Sequence, residues 1–461
     1  MRDGQWPIVT LGDLIKTIEA GSSFRCRETP PEEGEVGVAK VSAVSWGRYD
    51  EQESKTCVHA SRINNDLLIR KGDFLISRAN TVELVGACVI AEQVSKKVML
   101  SDKTLRIVFK DTGLKSWVLH YLRSRAGRQQ IEALCTGNQE SMRNISQRSI
   151  RNIKLPLAPP DERDEILAFI ELQLSRVEAT TSTLKGIQAK LKQARASILK
   201  AAVEGRLVET EAELARRIGR TFEPADHQLA RINRKPIKRR PIPEDQEDAL
   251  SLIAGHSPHP EGWTLCTLGD IGRWTSGGTP SRRNPAFFGG SIPWIKTGEL
   301  NDSVLTGFEE TITTEGIRNS AAKLFPAGTL LVAMYGATIG ITGILGMDAS
   351  TNQACAALLP TDANIESIRY LQLYLQSQRR ELRDAGQGGA QPNISLGILK
   401  DWSLCLPPIT EQKRIVAEVE RRFSVLDQLE STVQASLTRC GLLRQAILKR
   451  AFEGRLVPDP G

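Results

Sequence analysis

The sequence predicts a mixed α+β protein built by internal duplication. Two mixed α/β domains are joined by two long helices that pair as an antiparallel intramolecular coiled coil with a pseudo-two-fold repeat. Three observations carry this reading. Residues 155–208 and 404–457 match without a gap at an offset of 249, with 20 of 54 positions identical. Chance makes one short match, not one this long, and a repeat of this size defines the architecture. Both matched segments space apolar residues by seven, the mark of a long helix with one apolar stripe. The segments before them hold short strand-like runs punctuated by Gly and Pro instead of regular strand–helix alternation.

The elements follow in order. A first mixed domain is expected over 1–158, a long helix over 159–208, a basic, proline-containing linker over 209–261, a second mixed domain over 262–407, and a second long helix with a tail over 408–461. Strand-like runs include Phe74–Ser77, Val82–Ile90, Thr329–Ala333 and Ile339–Leu345, and helical spacing runs from Lys115 to Gln130 and from Asn364 to Asp384. A bent or barrel-like sheet fits this pattern. The amino-terminal parts of the two halves match more loosely. Trp6 to Leu14 resembles Trp263 to Ile271 at an offset of 257, and Lys71 to Leu75 resembles Ala327 to Leu331 at 256.

From Glu162 to Val203 there is no Pro. Ile170, Val177, Leu184, Leu191 and Ile198 form one heptad position, and Ile166, Gln173, Thr180, Ile187, Ala194 and Ala201 the other. In the second copy Val419, Leu426, Val433, Cys440 and Ile447 form the seam, with Ile415, Leu429 and Leu443 beside it. Acidic Asp161 and Glu162 suit a helix start, and Gly205 suits its stop. A stripe this long cannot be buried by the domain next to it, so the two stripes bury each other or each packs on a partner protein. Leu172, Leu174, Leu199 and Phe423 lie off the stripe and can form a second face.

Composition limits the function classes. The chain has 461 residues and a net charge of +7, from 61 Lys+Arg against 54 Asp+Glu, which permits a nucleic-acid partner without requiring one. No run approaches the length of a membrane span, and the start shows no secretory signal. The eight cysteines form no Cys-x-x-Cys pair and read as reduced thiols. There is no P-loop, no dinucleotide-binding glycine fingerprint and no nucleophile elbow. Asn284-Pro285-Ala286-Phe287 only superficially resembles the Asn-Pro-Pro-Tyr/Phe loop of amino methyltransferases. The five histidines pair convincingly with neither Cys nor carboxylate. A catalytic site is therefore not expected, and no metal site.

Polar loops at corresponding places in the two halves carry side chains that hydrogen-bond base edges, with Gly where backbone can approach phosphate. In the first half these are Ser22, Arg25, Lys40, Ser77, Arg78, Asn80, Thr81, Gln139, Arg143 and Asn144. In the second they are Gly278, Thr279, Arg282, Lys296, Thr297, Tyr335, Thr338, Asn352, Gln353, Gln391 and Asn393. Each loop taken singly is also readable as an ordinary surface loop. The linker from Arg231 to Arg240 holds six basic residues in ten and reads either as a solvated connector or as a phosphate-contacting segment.

The chain resembles the specificity subunits of type I restriction–modification systems. The motifs that carry the resemblance are Trp263-Thr-Leu-Cys-Thr-Leu-Gly-Asp270, the Thr275-Ser-Gly-Gly-Thr-Pro280 loop, Ile292-Pro-Trp-Ile-Lys-Thr297 and Gly328-Thr-Leu-Leu-Val-Ala333. Asn352-Gln353 and Leu404-Cys-Leu-Pro-Pro408 leading into Glu411-Gln412 complete the set, with the helix ending at Glu453-Gly-Arg-Leu-Val457. Residues 20–70 depart most from this pattern. The resemblance implies two target-recognition domains and a bipartite, asymmetric double-stranded DNA site. It also implies docking to two methyltransferase subunits and to restriction/translocase subunits, with one copy of this chain per complex in a bacterial or archaeal cytosol. S-adenosylmethionine, ATP and Mg would be held by those partners and not by this chain. Two alternatives stay open: the recognition subunit of another restriction–modification architecture, and a coiled-coil adaptor that binds proteins.

Overall fold

The computed structural model describes residues 6–139, 142–232, 259–359, 365–386 and 392–455. The chain folds as two compact units, one of residues 1–186 with 433–461 and one of residues 187–432.

In the first unit, strand Ile8–Thr10 pairs antiparallel with Lys154–Pro156 and ties the two ends of the β-rich part together. Its main sheet orders Ile15–Ala20, Thr104–Phe109, Phe74–Ser77 and Cys88–Ile90, all antiparallel. A second sheet orders Cys26–Arg27, Ser54–Cys57, Gly37–Ala39 and Val98–Met99. A three-stranded sheet joins Thr136–Gln139, Met142–Asn144 and Ala79–Asn80. In the second unit, Thr264–Thr267 pairs with Ser403–Leu406. A five-stranded sheet orders Trp274–Ser276, Cys355–Leu358, Leu330–Ala333, Thr342–Leu345 and Val304–Leu305, and a four-stranded sheet is built around Phe288–Ile295 and Ala349–Thr351.

The two long helices span Pro160–Val203 and Ile409–Phe452. Each contributes one end to each unit. In the first unit, Ile166, Ile170, Leu174 and Val177 share a core with Ile447, Leu448 and Ala451. Trp117 sits at its centre, edge-on to Trp6 and Phe452 at centroid distances of 5.5 and 4.9 Å. In the second unit, Ala202 shares a core with Ile415 and Val419, and Ile198, Leu199 and Val203 pack against it. Arg444 pairs with Glu178 at 3.7 Å in the first unit, and Arg195 pairs with Asp427 in the second. Glu178 and Asp427, and likewise Arg195 and Arg444, stand 249 residues apart, so the duplication repeats one interhelical ion pair. Ascending along the first helix while descending along the second, the pairs set the helices antiparallel.

Both helices stop in the same way. Gly205 and Gly454 take φ of +70° and +68°, which suits glycine alone. Arg206 and Arg455 then donate back to the carbonyls of Ala201 and Arg450, each at 2.9 Å. Both helices also start against a tryptophan. Trp6 Nε1 donates to Glu162 at 3.2 Å, and Trp263 Nε1 donates to Glu411 at 3.0 Å. The short helices that open the β-rich parts carry the same capping box, Thr10 with Asp13 and Thr267 with Asp270.

Several expected elements differ. Val82–Ile90 is strand only over Cys88–Ile90, because Leu84 and Val85 turn back on the Thr81 carbonyl and Gly86 takes a φ of +71°. Ile339–Leu345 likewise starts as strand at Thr342, after Gly340 at φ +78°. The helix expected from Lys115 to Gln130 is two, Lys115–Arg123 and Arg125–Leu134, because Ser124 leaves helical geometry and its Oγ accepts from the Gly127 amide. The one expected from Asn364 to Asp384 breaks at Gln378 into Ile365–Ser377 and Arg379–Asp384, and Asn364 lies outside the described residues. Within the expected linker, 209–261, the chain forms the helices Glu211–Ile218 and Ala225–Ile232. The rest of the basic run, 233–240, lies outside the described residues.

Along the helices, Ile170, Val177, Leu191, Val419, Val433 and Ile447 are buried, and Leu184, Ile198, Leu426 and Cys440 are half-buried. Leu174, expected off the stripe, is buried in the first unit's core. Leu429 and Leu443, expected beside the seam, are exposed.

The Glu411 carboxylate accepts from Trp263 and from the Glu211 amide, and burial pushes its pKa up to about 6 from 4.5. Folding therefore takes up a proton across that window. The stabilisation is complete at the acidic side and is lost as pH rises through about 6, by about 2 kcal/mol. Urea unfolding of the wild type and Glu411→Gln should show their stability difference moving by about that amount between acidic and neutral pH. An unchanged difference would mean that Glu411 titrates normally.

Candidate nucleic-acid interface

Backbone hydrogen bonds gather four segments of the first unit into one surface. Gly21 donates to Ser101 O at 3.1 Å, and Ser23 Oγ bonds the Asp102 carboxylate. Arg78 donates to Lys103 O at 2.7 Å, and Ile145 donates to Arg78 O at 2.9 Å. Asn80 stands opposite Arg143 in the strand pair, and Ala79 opposite Asn144. Arg78, Asn144, Ser22 and Arg25 are exposed, and Asn80, Thr81 and Arg143 are half-buried. Asn80 is preset: its Nδ2 donates to Ser45 Oγ at 3.0 Å and its Oδ1 accepts from Thr81 N–H at 2.9 Å. Arg143 Nη1 donates to Gly137 O at 2.5 Å, and its Nε is buried with no partner.

Other residues brace this surface. Ser77 is buried, its Oγ donating to Leu84 O at 3.0 Å, and Lys40 Nζ donates to Glu28 O at 3.2 Å. Gln139 lies in the strand opposite Met142. Residues 140 and 141 lie outside the described residues.

The second unit repeats the arrangement with different side chains. Met334 donates to Ala354 O and Ile394 donates to Met334 O, each at 2.9 Å, as Arg78 and Ile145 do. Gly278 donates to Thr351 O at 2.8 Å, and Thr279 Oγ1 bonds Gln353 Oε1. Gly278 is buried, and a Cβ there would meet the Ala321 backbone at 2.3 Å, so only glycine lets this loop lie flat. Tyr335 and Asn393 face each other across an isolated bridge and are both exposed. Asn352 donates its amide to Ile295 O at 3.1 Å, and its Oδ1 is buried without a partner. Thr338 Oγ1 donates to Tyr335 O at 2.8 Å, and Thr297 opens a 3-10 turn. Gln391 lies outside the described residues.

Two basic candidate side chains of the second unit, Lys296 and Arg282, are held by acids. Lys296 Nζ donates to Glu309 at 2.8 Å and Glu310 at 3.2 Å, which raises the lysine pKa. Arg282 donates to Glu310 at 2.7 Å and lies over the Phe288 ring, 4.4 Å from its centroid. Hydrogen bonding from Arg282, then Lys296, holds the Glu310 carboxyl below its ordinary pKa. Among the described residues no group of three or more His, Cys, Asp or Glu is placed to hold a metal ion. No described helix is long and apolar enough to cross a membrane.

Residues 260–439 match the family model described as the type I restriction modification DNA specificity domain. The chain is 30% identical over 185 residues to the specificity subunit of the type I restriction enzyme EcoR124I/EcoR124II of Escherichia coli, covering 39% of this chain and 44% of that one. It is 27% identical over 319 residues to the EcoBI specificity subunit of Escherichia coli, covering 68% and 61%. The matches thus span about half the length of these curated relatives. A chain from a solved structure on complex assembly and conformational transition of the type I R-M system shares the fold. It superposes with a TM-score of 0.65 at 18% identity, over 98% of this chain and 99% of that one.

This chain is similar to type I restriction enzyme specificity subunits over part of their length.

In this chain the fold brings most candidate side chains to two loop clusters, one per half. Reading by residue type understates Lys103, which is exposed beside Arg78. Its signal was its place opposite Asn352-Gln353 in the repeat. It also misses the acids Glu309 and Glu310, which no base-reading rule selects. Removing Glu310 as an acid should free Arg282. Glu310→Gln is expected to raise affinity for random duplex DNA and to steepen its salt dependence by about one phosphate contact. Titrations at two salt concentrations check this, and an unchanged slope would mean that Arg282 stays out of reach of DNA.

Proposed function

We propose that this chain is the sequence-reading subunit of a type I restriction–modification complex, with one target-recognition domain, 1–158 or 262–407, on each half of a bipartite, asymmetric DNA site. The observation that supports it best is the repeated loop cluster. The same backbone hydrogen bonds recur at Arg78 and Met334, while the side chains around them differ. One scaffold presenting two different sets of donors and acceptors fits one chain reading two different half-sites. Arg78, Asn80 and Asn144 are the base-reading candidates in the first domain, and Thr279, Gln353, Tyr335 and Asn393 in the second. Lys103 and Lys296 fit phosphate contacts.

The helices would act as the ruler that sets the spacer, near half a turn to one turn of duplex. Their outer faces would dock two methyltransferase subunits and the restriction subunits. The chain itself would carry no catalysis. S-adenosylmethionine, ATP and Mg would be bound by the partners, in the bacterial or archaeal cytosol.

The test is the methylation pattern of the host chromosome. One split adenine-methylated motif should be present and should vanish when this gene is deleted; persistence of the motif overturns the reading. Within that motif Arg78→Ala should relax one position of the first half, at a cost of roughly 1–3 kcal/mol. Lys103→Ala should weaken all sequences evenly and lower the salt slope by about one.

A further inference from the structure

One surface residue of the first unit has no part in the interface described so far. Trp46 is 70% exposed. Single exposed apolar residues are ordinary, so exposure alone assigns nothing. What sets Trp46 apart is how firmly its turn is held. It follows the 3-10 turn Val41–Val44. Next to it, Ser45 Oγ donates to Val41 O at 2.8 Å and accepts from Asn80 Nδ2 at 3.0 Å. On the other side Gly47, at φ +82°, offers its carbonyl to Arg123 Nη2 at 2.7 Å. The Asp50 amide closes the turn on Ala43 O at 3.0 Å. The backbone is pinned while the indole is left in solvent.

The duplication supplies the comparison. At an offset of 256 Arg123 corresponds to Arg379, and each arginine meets the positive-φ residue of its turn, Gly47 at +82° and Asp302 at +63°, so Gly47 holds the place of Asp302. Both turns make the same first hydrogen bond, Ala43 to Lys40 O at 3.1 Å and Glu299 to Lys296 O at 3.0 Å. In the second unit Asp302 turns inward, accepting from the Arg379 guanidinium at 2.6 Å and from Thr342 Oγ1 at 2.9 Å. In the first unit the same arginine grips the backbone of Gly47 and Cys88 instead. The first turn is held through the Gly47 backbone where the second is held through a side chain, and the large aromatic one residue before Gly47 stays in solvent. Its neighbours are Asn80, through Ser45, and exposed Arg48. A flat ring on a rigid turn, beside a base-edge reader and a cation, has the chemistry of a stacking wedge. Aromatic and apolar side chains placed so unstack a base step and are repaid by contact with the base face.

We propose that Trp46 inserts against a base step of the half-site read by the first domain, making recognition of that half depend on DNA deformation, with no counterpart in the second half. The proposal rests on the sequence-reading function above. The experiment uses the full chain with its methyltransferase subunits and duplexes that the wild type selects from a randomised pool, with 2-aminopurine moved stepwise through both half-sites. Binding should change the emission at one step of the first half-site. Trp46→Ala should abolish that change and lower affinity roughly 10–100-fold without altering the salt slope, since no charge is removed. Trp46→Phe should retain most of both.

If Trp46→Ala binds the selected duplexes within about twofold of the wild type with the same emission profile, the wedge is overturned while sequence reading stands. If Trp46→Ala instead fails to assemble with the methyltransferase, Trp46 is a protein contact and the wedge is likewise overturned. If the wild type selects no duplex, the recognition function itself falls, and the wedge with it.

Discussion

The structure depends on the burial of two sparse helix stripes. A helix of 44 residues with one narrow apolar face has nothing in its own neighbourhood long enough to cover it. Each β-rich part therefore accepts the start of one helix and the end of the other. Ile166 and Ile170 meet Ile447 and Ala451 in the first unit, and Ala202 meets Ile415 and Val419 in the second. The tryptophans at the helix starts complete these joints. A buried indole N–H needs an acceptor, and Glu162 and Glu411 supply it. The consequence is discontinuity: the unit that holds residues 1–186 also needs residues 433–461.

The interior joints are apolar while the middle of the helices is polar. Thr180 and Ser182 on the first helix and Ser431 and Thr432 on the second are exposed. The ion pairs Arg444–Glu178 and Arg195–Asp427 flank this stretch. Exposed pairs contribute little stability, so their meaning is register: the repeat preserves the cross-helix partner and not merely the charge. Arg195 also lies over the Phe423 ring at 5.2 Å, which gives this arginine an apolar seat as well.

Charge at the candidate interface is organised differently in the two halves. In the second unit the basic side chains Lys296 and Arg282 are held by Glu309 and Glu310. In the first, Arg78 and Lys103 are exposed and joined to each other through the backbone. The net charge of +7 does not report this difference, because it sums paired and unpaired charges alike.

The sequence by itself determined the duplication, the two long helices with their stops, and the loops that carry the candidate residues. Each of these is written in local or periodic signals: an ungapped offset, a seven-residue spacing, a glycine where φ must be positive. The helix breaks at Ser124 and Gln378 were not legible, because a cap looks like any polar residue until the chain turns at it. Nor were the short strands, which Gly86 and Gly340 cut by donating back to the Ser77 and Ala333 carbonyls upstream at positive φ. Which stripe residues are covered was decided only in the tertiary structure. Leu174 is buried and Leu429 and Leu443 are exposed because heptad position counts turns, while burial depends on where a partner ends. The same holds at the candidate interface. Residue type selected Ser77 and Asn80 alike, but only the folded chain buries one as a brace and presents the other beside Trp46, since a hydrogen bond to Leu84 and one to Ser45 cannot be read from composition.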